Sequence, residues 1–363
     1  MLKEKYLKGF SIVLCTYNGQ DLLLPTLIHL AKLKIPVGCA VELILVNNAS
    51  TDNTASLVQD IWLQLHEPFP LHVLNESRPG KGYAVETGYD AAQYSYILTV
   101  DDDNWLDAFY LKNALALLRE HPEVGVLQGK NEAVHETEPP NWATDNLQTL
   151  FAIGGPTKDF GFFPKNFFYV WGAGMVIRKA DWDYLRSLGF AFLTSKMPGK
   201  AAGEDHETAI ALLLLGRKIY YSDKLKYKHY MPTSRITWLN LKKGFYIWAN
   251  LMYYYLLYSS VIEAHEKRII ISKTIINKKV SKILLEIAAS FTWKQHLAYW
   301  IKPQDEYYQL RLYRYYSFGK WYYKLSKNIQ HDIGLLQTWM QPLLDRNPNG
   351  FSMSYKVCFD LNQ

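Results

Sequence analysis

Cysteine is scarce in this chain. Its 363 residues hold three, Cys15, Cys39 and Cys358. That number is odd and too small for a disulfide framework, and no zinc spacing is present, which predicts a reducing compartment. A leader pattern is also lacking. The charged opening MLKEKYLKGF runs straight into the strand-like SIVL, with no apolar segment and small-residue cleavage site between them. The expected location is cytoplasmic. Long uncharged runs are few. Phe245 to Ile262 has no formal charge over 18 residues, a marginal length for a membrane span. It contains Asn250, five tyrosines and paired serines, so it reads as a buried helix. Gly and Pro are absent between Gly244 and Pro303, which predicts helix throughout that stretch, as two or three elements.

Acidic residues are sparse in the tail. Residues 1–234 carry 22 Lys and Arg against 26 Asp and Glu, net −4; residues 235–363 carry 18 against 8, net +10. A basic tail on a slightly acidic body suggests that the tail meets something anionic. Apolar residues make up 49% of the chain, so wholesale disorder is excluded.

What is there is an alternation. Strand-like Gly9–Leu14, Val41–Val46, Leu71–Leu74 and Tyr96–Val100 alternate with helix-like Gln20–Lys34, Thr51–Leu65, Lys81–Gln93 and Leu106–Glu120. A further strand is expected at Val124–Leu127. This order argues an α/β fold with a mostly parallel, helix-covered sheet. From 131 to 168 the pattern breaks, punctuated by Pro139-Pro140, Gly154-Gly155-Pro156 and a Phe-rich end, as binding loops do. Phe168–Ile177 reads as a strand broken by Gly172 and Gly174, Glu204–Leu215 as a helix, and Lys218–Tyr221 and Leu225–Tyr230 as two short strands. Residues 1–234 thus form one α/β domain, and 235–363 a basic, aromatic-rich helical region.

Asp101, Asp102, Asp103 and Asn104 follow the apolar run Tyr96–Val100 directly. Such a cluster is strongly repulsive unless a positive charge binds there, and carboxylate oxygens suit Mg²⁺ or Mn²⁺. A helix cap would explain one of these residues, not all four. Three sequence edges converge if the sheet is parallel: Thr16-Tyr17-Asn18, Asn47-Asn48, and the aspartates. Thr16, Asn18, Asn47 and Asn48 offer donors and acceptors for a base and ribose, or simply form turns. Arg78 and Lys81 flank a Gly-rich turn that opens a helix, a site for phosphate or a plain surface turn.

The segments S-I-V-L-C-T-Y-N, L-I-L-V-N-N-A-S-T-D-N-T, R-P-G-K-G-Y-A, L-T-V-D-D-D-N and G-E-D-H-E occur in one order. Over roughly residues 9–232 this resembles the family-2 glycosyltransferases of GT-A fold. The resemblance implies transfer of a sugar from a nucleoside diphosphate sugar to an acceptor hydroxyl, with inversion. It implies Asp103 as metal ligand, Asp101 or Asp102 toward ribose or sugar, and Asp101 and His229 as further candidates at the metal. It implies Asp205 as general base with Glu204 beside it, and Thr16, Tyr17, Asn18, Asn47 and Asn48 around the nucleoside. Trp171 and Gly174 fall in the region facing the acceptor. Each has a plainer reading: acidic residues belong in a helix's first turn, and His229 and Trp171 suit a core. Family members often carry Asp where Asn47 stands. An amide oxygen also accepts, so a UDP-sugar is favoured while the base stays open.

In the tail, Lys267–Phe291 mixes Ile and Leu with lysines, and Tyr307–Lys327 interleaves Tyr, Trp, Arg and Lys. That suits an anionic membrane surface, or a helical lid or oligomer interface. Nothing in the front half supports nucleic acid as partner. The expected acceptor is a saccharide or a lipid-linked one. A sugar nucleotidyltransferase is the enzymatic alternative, though the Gly-rich start with Arg and Pro-Leu is absent after the first strand. A non-catalytic sugar-nucleotide-binding scaffold is the other alternative.

Overall fold

The computed structural model describes residues 6–140, 142–143, 151–155, 159–194, 203–301, 307–347 and 350–353. Cys358 and parts of the 131–168 loop lie outside them. The chain divides into two compact units, Met1–Arg235 and Ile236–Gln363.

Among the described residues the first unit is a sheet of nine strands with flanking helices. Its first half is parallel. β1 (Leu7–Thr16) lies between β2 (Ala40–Asn48) and β4 (Tyr94–Asp101), and β3 (Leu71–Glu76) pairs with β2. Three helices make the crossovers: α1 (Leu23–Ala31), α2 (Thr54–Gln64) and α3 (Lys81–Ala91). Every β1 residue from Gly9 to Thr16 is buried, because helices cover both faces. The register sets Thr16 beside Asn47 and Cys15 beside Asp101, so the three polar edges do converge.

The second half is mixed, not parallel. Here β5 (Asn104–Leu106), α4 (Tyr110–Glu120), β6 (Val124–His135), β7 (Gly161–Phe162), β8 (Val176–Arg178), α5 (Lys179–Ser187), α6 (Glu204–Leu214) and β9 (Lys218–Met231) follow in turn. β8 runs antiparallel to both β4 and β6, and β9 runs parallel to β6 but antiparallel to β5 and β7. Three expectations change. The segment at Leu106 is the end of a short strand, because pairing with β9 overrides its helical pattern; Asn104 lies opposite His229. The strand expected over Phe168–Ile177 shrinks to Val176–Arg178, since the chain turns at Gly172–Met175 and Gly174 has φ +70°. The two pieces at 218–230 are one strand, with a register shift between Gly129 and Lys130 on its partner.

The second unit is helical: α7 (Trp238–Glu266), α8 (Lys273–Ala289), α9 (Trp293–Ile301), α10 (Tyr307–Leu325) and α11 (Ile329–Arg346). The Thr237 hydroxyl caps α7 by accepting the Asn240 N–H at 3.2 Å. Residues 249–262 of α7 are buried all round, and Tyr253 donates its hydroxyl to Asp332 at 3.1 Å. Among the described residues no helix is long and apolar enough to cross a membrane.

Gly88 shows how tightly α3 lies on the sheet. A Cβ there would come within 2.3 Å of Val13 Cγ1 and 3.1 Å of Val46 Cγ2. Gly88→Leu is therefore expected to lower stability by about 1–3 kcal/mol, read from urea unfolding midpoints.

Candidate active site

The site begins with a turn. Asn48 accepts the Gly80 N–H at 2.9 Å and donates to the carbonyls of Arg78 at 2.7 Å and Glu76 at 3.3 Å. Its amide is spent on the β3–α3 connection. Gly80 takes φ +140°, a conformation that a side chain would strain, and Lys81 follows as the first residue of α3. The Lys81 ammonium lies 2.7 Å from Asp101 Oδ1 and 3.6 Å from Glu204 Oε1. Burial works to lower the Lys81 pKa, but Asp101 and Glu204 outweigh it and hold the ammonium charged. One lysine thus joins the end of β4 to the start of α6.

The two other aspartates go separate ways. Asp102 accepts the Thr16 hydroxyl at 2.7 Å; burial, then the charge of Asp103, pushes its carboxyl up to about 7. Asp103 Oδ1 accepts from the Asn104 amide at 2.9 Å, while Oδ2 lies 3.5 Å from His229 Nε2 and 2.5 Å from Arg235 Nη1. Burial works to raise the Asp103 pKa, and the Arg235 guanidinium beside it works the other way. His229 Nδ1 is 3.3 Å from the Ala152 carbonyl, and Nε2 is 3.0 Å from Arg235 Nη1. A guanidinium only donates, so the network assigns the ring proton to Nδ1 and a lone pair to Nε2. Among the described residues no three His, Cys, Asp or Glu side chains converge as a metal cluster. Asp103 and His229 do meet; Asp101 is engaged with Lys81.

At the start of α6, Asp205 Oδ2 accepts the Gly172 N–H at 3.1 Å and Oδ1 accepts the His206 N–H at 2.8 Å. Burial, then the neighbouring Asp205 charge, raises Glu204 to about 7 against the pull of Lys81. Glu207 accepts the N–H groups of Leu193 at 2.8 Å and Thr194 at 2.9 Å, which ties those two residues to α6. Trp171 is half-buried and donates its N–H to Gln128 at 3.0 Å. Three residues on, the Gly174 carbonyl accepts the Tyr110 hydroxyl at 2.6 Å.

On the other flank, Asn18 Oδ1 accepts the Thr51 N–H at 2.8 Å and the Asn18 N–H donates to Ser50 at 2.9 Å, joining two strand-end loops. Tyr17 is 52% exposed beside them. Asn47 donates to Asn75 Oδ1 at 3.0 Å, and its own Oδ1 is buried without a hydrogen-bond partner. Arg78 grips Glu76 with Nε at 2.9 Å and Nη2 at 2.7 Å and covers the Tyr83 ring. It is therefore committed to the turn, although its side chain reaches solvent.

Residues 11–185 match the family model Glycosyl transferase family 2. That stretch is similar to glycosyl transferase family 2. This glycosyl transferase domain is 28% identical over 130 residues to a Staphylococcus epidermidis poly-beta-1,6-N-acetyl-D-glucosamine synthase, covering 35% of this chain and 29% of that protein. The same enzyme from Staphylococcus aureus MSSA476 is 30% identical over 123 residues, covering 34% and 28%. The chain thus spans under a third of the length of the curated relatives it matches. The fold also resembles S. aureus TarS 1-349, with TM-score 0.50 and 17% identity over 94% of this chain and 92% of that one. That likeness supports the GT-A assignment of the fold.

Two features of the glycosyl transferase site escaped the sequence. Nothing in the local pattern distinguishes Arg235 from other tail arginines. The Asn48 amide looked available for ligand but belongs to the turn. Glu76 offers a check on the flank. Arg78 holds its carboxyl down to about 2, against the opposing effect of burial. A depressed carboxyl adds stability above its unfolded pKa near 4.3 and loses it as pH falls through about 2. Urea unfolding of wild type should therefore weaken across that window, and Glu76→Gln should flatten that part of the slope.

Proposed function

We propose that the chain is an inverting glycosyltransferase that moves a sugar from a nucleoside diphosphate sugar to an acceptor hydroxyl in polysaccharide or glycolipid synthesis. One observation carries the reading. The Lys81 ammonium lies within ion-pair reach of both Asp101 and Glu204, so the two acidic elements line a single crevice at the carboxyl edge of the sheet. The match of residues 11–185 to glycosyl transferase family 2 supports the reaction class.

Asp205 is the general base. The Gly172 N–H orients its Oδ2, whose remaining lone pair suits an acceptor hydroxyl. The acceptor oxygen attacks the anomeric carbon as the bond to the diphosphate breaks, and its proton passes to Asp205. Inversion needs one such base and no enzyme nucleophile. Glu204 and Lys81 keep Asp205 beside the sugar. A divalent Mg²⁺ or Mn²⁺ fits Asp103 and His229, whose oxygen and bare ring nitrogen lie 3.5 Å apart, near the spacing of two ligands on one small cation. Bound there, it supplies positive charge to the departing diphosphate. Asp101 would join it only by leaving Lys81.

The buried, unpartnered Asn47 Oδ1 suits an imide N–H such as that of uracil, which favours a uridine diphosphate sugar. N-acetyl-D-glucosamine, the unit named in both relatives, is the first sugar to test. Thr16, Tyr17 and Asn18 sit on the same edge. Trp171 offers a face for a saccharide or lipid-linked acceptor. Asp205→Asn is expected to lower transfer by about 10²–10⁴-fold while donor binding persists. Transfer at the wild-type rate would overturn the base assignment. Pyrophosphate release from a nucleoside triphosphate and a sugar phosphate would favour a nucleotidyltransferase instead.

The second unit supports peripheral attachment to an anionic membrane on its cytoplasmic face. On α9, Trp293, Leu297 and Trp300 share one face and are 69%, 48% and 69% exposed. Leu285 of α8 is exposed as well, and Lys282 and Lys294 are exposed near these apolar groups. An apolar stripe with a basic surround matches an anionic lipid surface. The full chain should co-sediment with phosphatidylglycerol vesicles and not with phosphatidylcholine ones. The double change Trp293→Ser, Trp300→Ser should weaken that binding by on the order of tenfold. Equal binding to both lipids, or none, would remove this part of the reading.

A further inference from the structure

Arg235 belongs to no recognised motif, yet its guanidinium fills the position best suited to a cation. Nη1 is 2.5 Å from Asp103 Oδ2 and 3.0 Å from His229 Nε2, and those two atoms are 3.5 Å from each other. Both partners meet it with lone pairs, because a guanidinium N–H donates and never accepts. These are the lone pairs that a divalent cation would take. A metal bonded to both at about 2.1 Å leaves no room for a nitrogen at the same point.

We propose that Arg235 is the resident counter-ion of this position, and that a divalent cation enters only by displacing it. The inference rests on the metal reading given above. It gives the buried Asp103 carboxylate a counter-charge within the chain. Asp103 and His229 side chains are 4% and 9% exposed, whereas that of Arg235 is 38% exposed. The arginine is therefore the group with a route to water. Its backbone stays anchored: the Arg235 N–H donates to the Pro232 carbonyl at 2.8 Å, and the Thr233 N–H donates to Glu136 at 2.8 Å. Displacement is a side-chain swing about a fixed turn. An anionic diphosphate gives the displaced guanidinium a new partner. Cation and nucleoside diphosphate should then each tighten the other's binding, by the same factor.

The test measures Mn²⁺ binding to the full chain by the electron paramagnetic resonance signal of free Mn²⁺, with and without UDP. Wild type without nucleotide should bind weakly and gain affinity with UDP. Arg235→Ala should bind Mn²⁺ about tenfold or more tightly without nucleotide, and the gain from UDP should shrink. Arg235→Gln, closer in shape, provides the same comparison if the alanine variant folds poorly. Adding Asp103→Asn should abolish the binding in every background. If the Arg235 variants bind no more tightly than wild type while Asp103→Asn still abolishes binding, displacement is wrong and the metal reading stands. If no variant binds Mn²⁺ through Asp103 even with UDP, the metal reading fails and this inference falls with it.

Discussion

Carboxylates crowd the carboxyl edge of the sheet, and two cations make that crowding tolerable. Asp101, Asp102 and Asp103 leave β4 in succession, and Glu204 and Asp205 open α6 nearby. Unpaired buried charges of one sign would shift toward neutrality or push the chain apart. Lys81 answers Asp101 and Glu204, and Arg235 answers Asp103. Asp102 takes the other course, and its raised pKa reflects a carboxyl held beside Thr16 without a cation of its own. The site is thus a set of acids partly neutralised from within.

That arrangement depends on backbone more than on side-chain choice. Parallel pairing of β1 with β2 and β4 brings Thr16, Asn47 and Asp101 to one level. The Asn48 amide builds the turn that aims Lys81, and the short antiparallel pairing of β5 with β9 brings Asn104 opposite His229. Asp103 is thereby carried to the histidine by a strand, which is more rigid than a loop. Such pre-organisation suits a reaction whose charge develops on a departing diphosphate.

The helical unit follows a different logic. Its central helix α7 is uncharged and buried over most of its length, with tyrosine hydroxyls satisfied by groups such as Asp332. Its basic surplus therefore lies on the other helices, and on α9 the exposed Trp293 stands beside Lys294.

The sequence alone carried the α/β class, the order of strands and helices through β4, and both acidic elements, since apolar periodicity and strand-end polarity are local properties. It also carried the charge split between the two halves. It could not carry the mixed second half of the sheet: β5 and β8 are three residues each, too short for periodicity, and exist only because their neighbours pair with them. Asn48 and Arg78 had the right chemistry for a ligand, yet folding turned them onto the β3–α3 turn. Arg235, with no local signal, came to rest between Asp103 and His229. Residue types limit what a site can do, but which lone pairs stay available depends on contacts between segments more than a hundred residues apart, and only the folded chain makes those contacts.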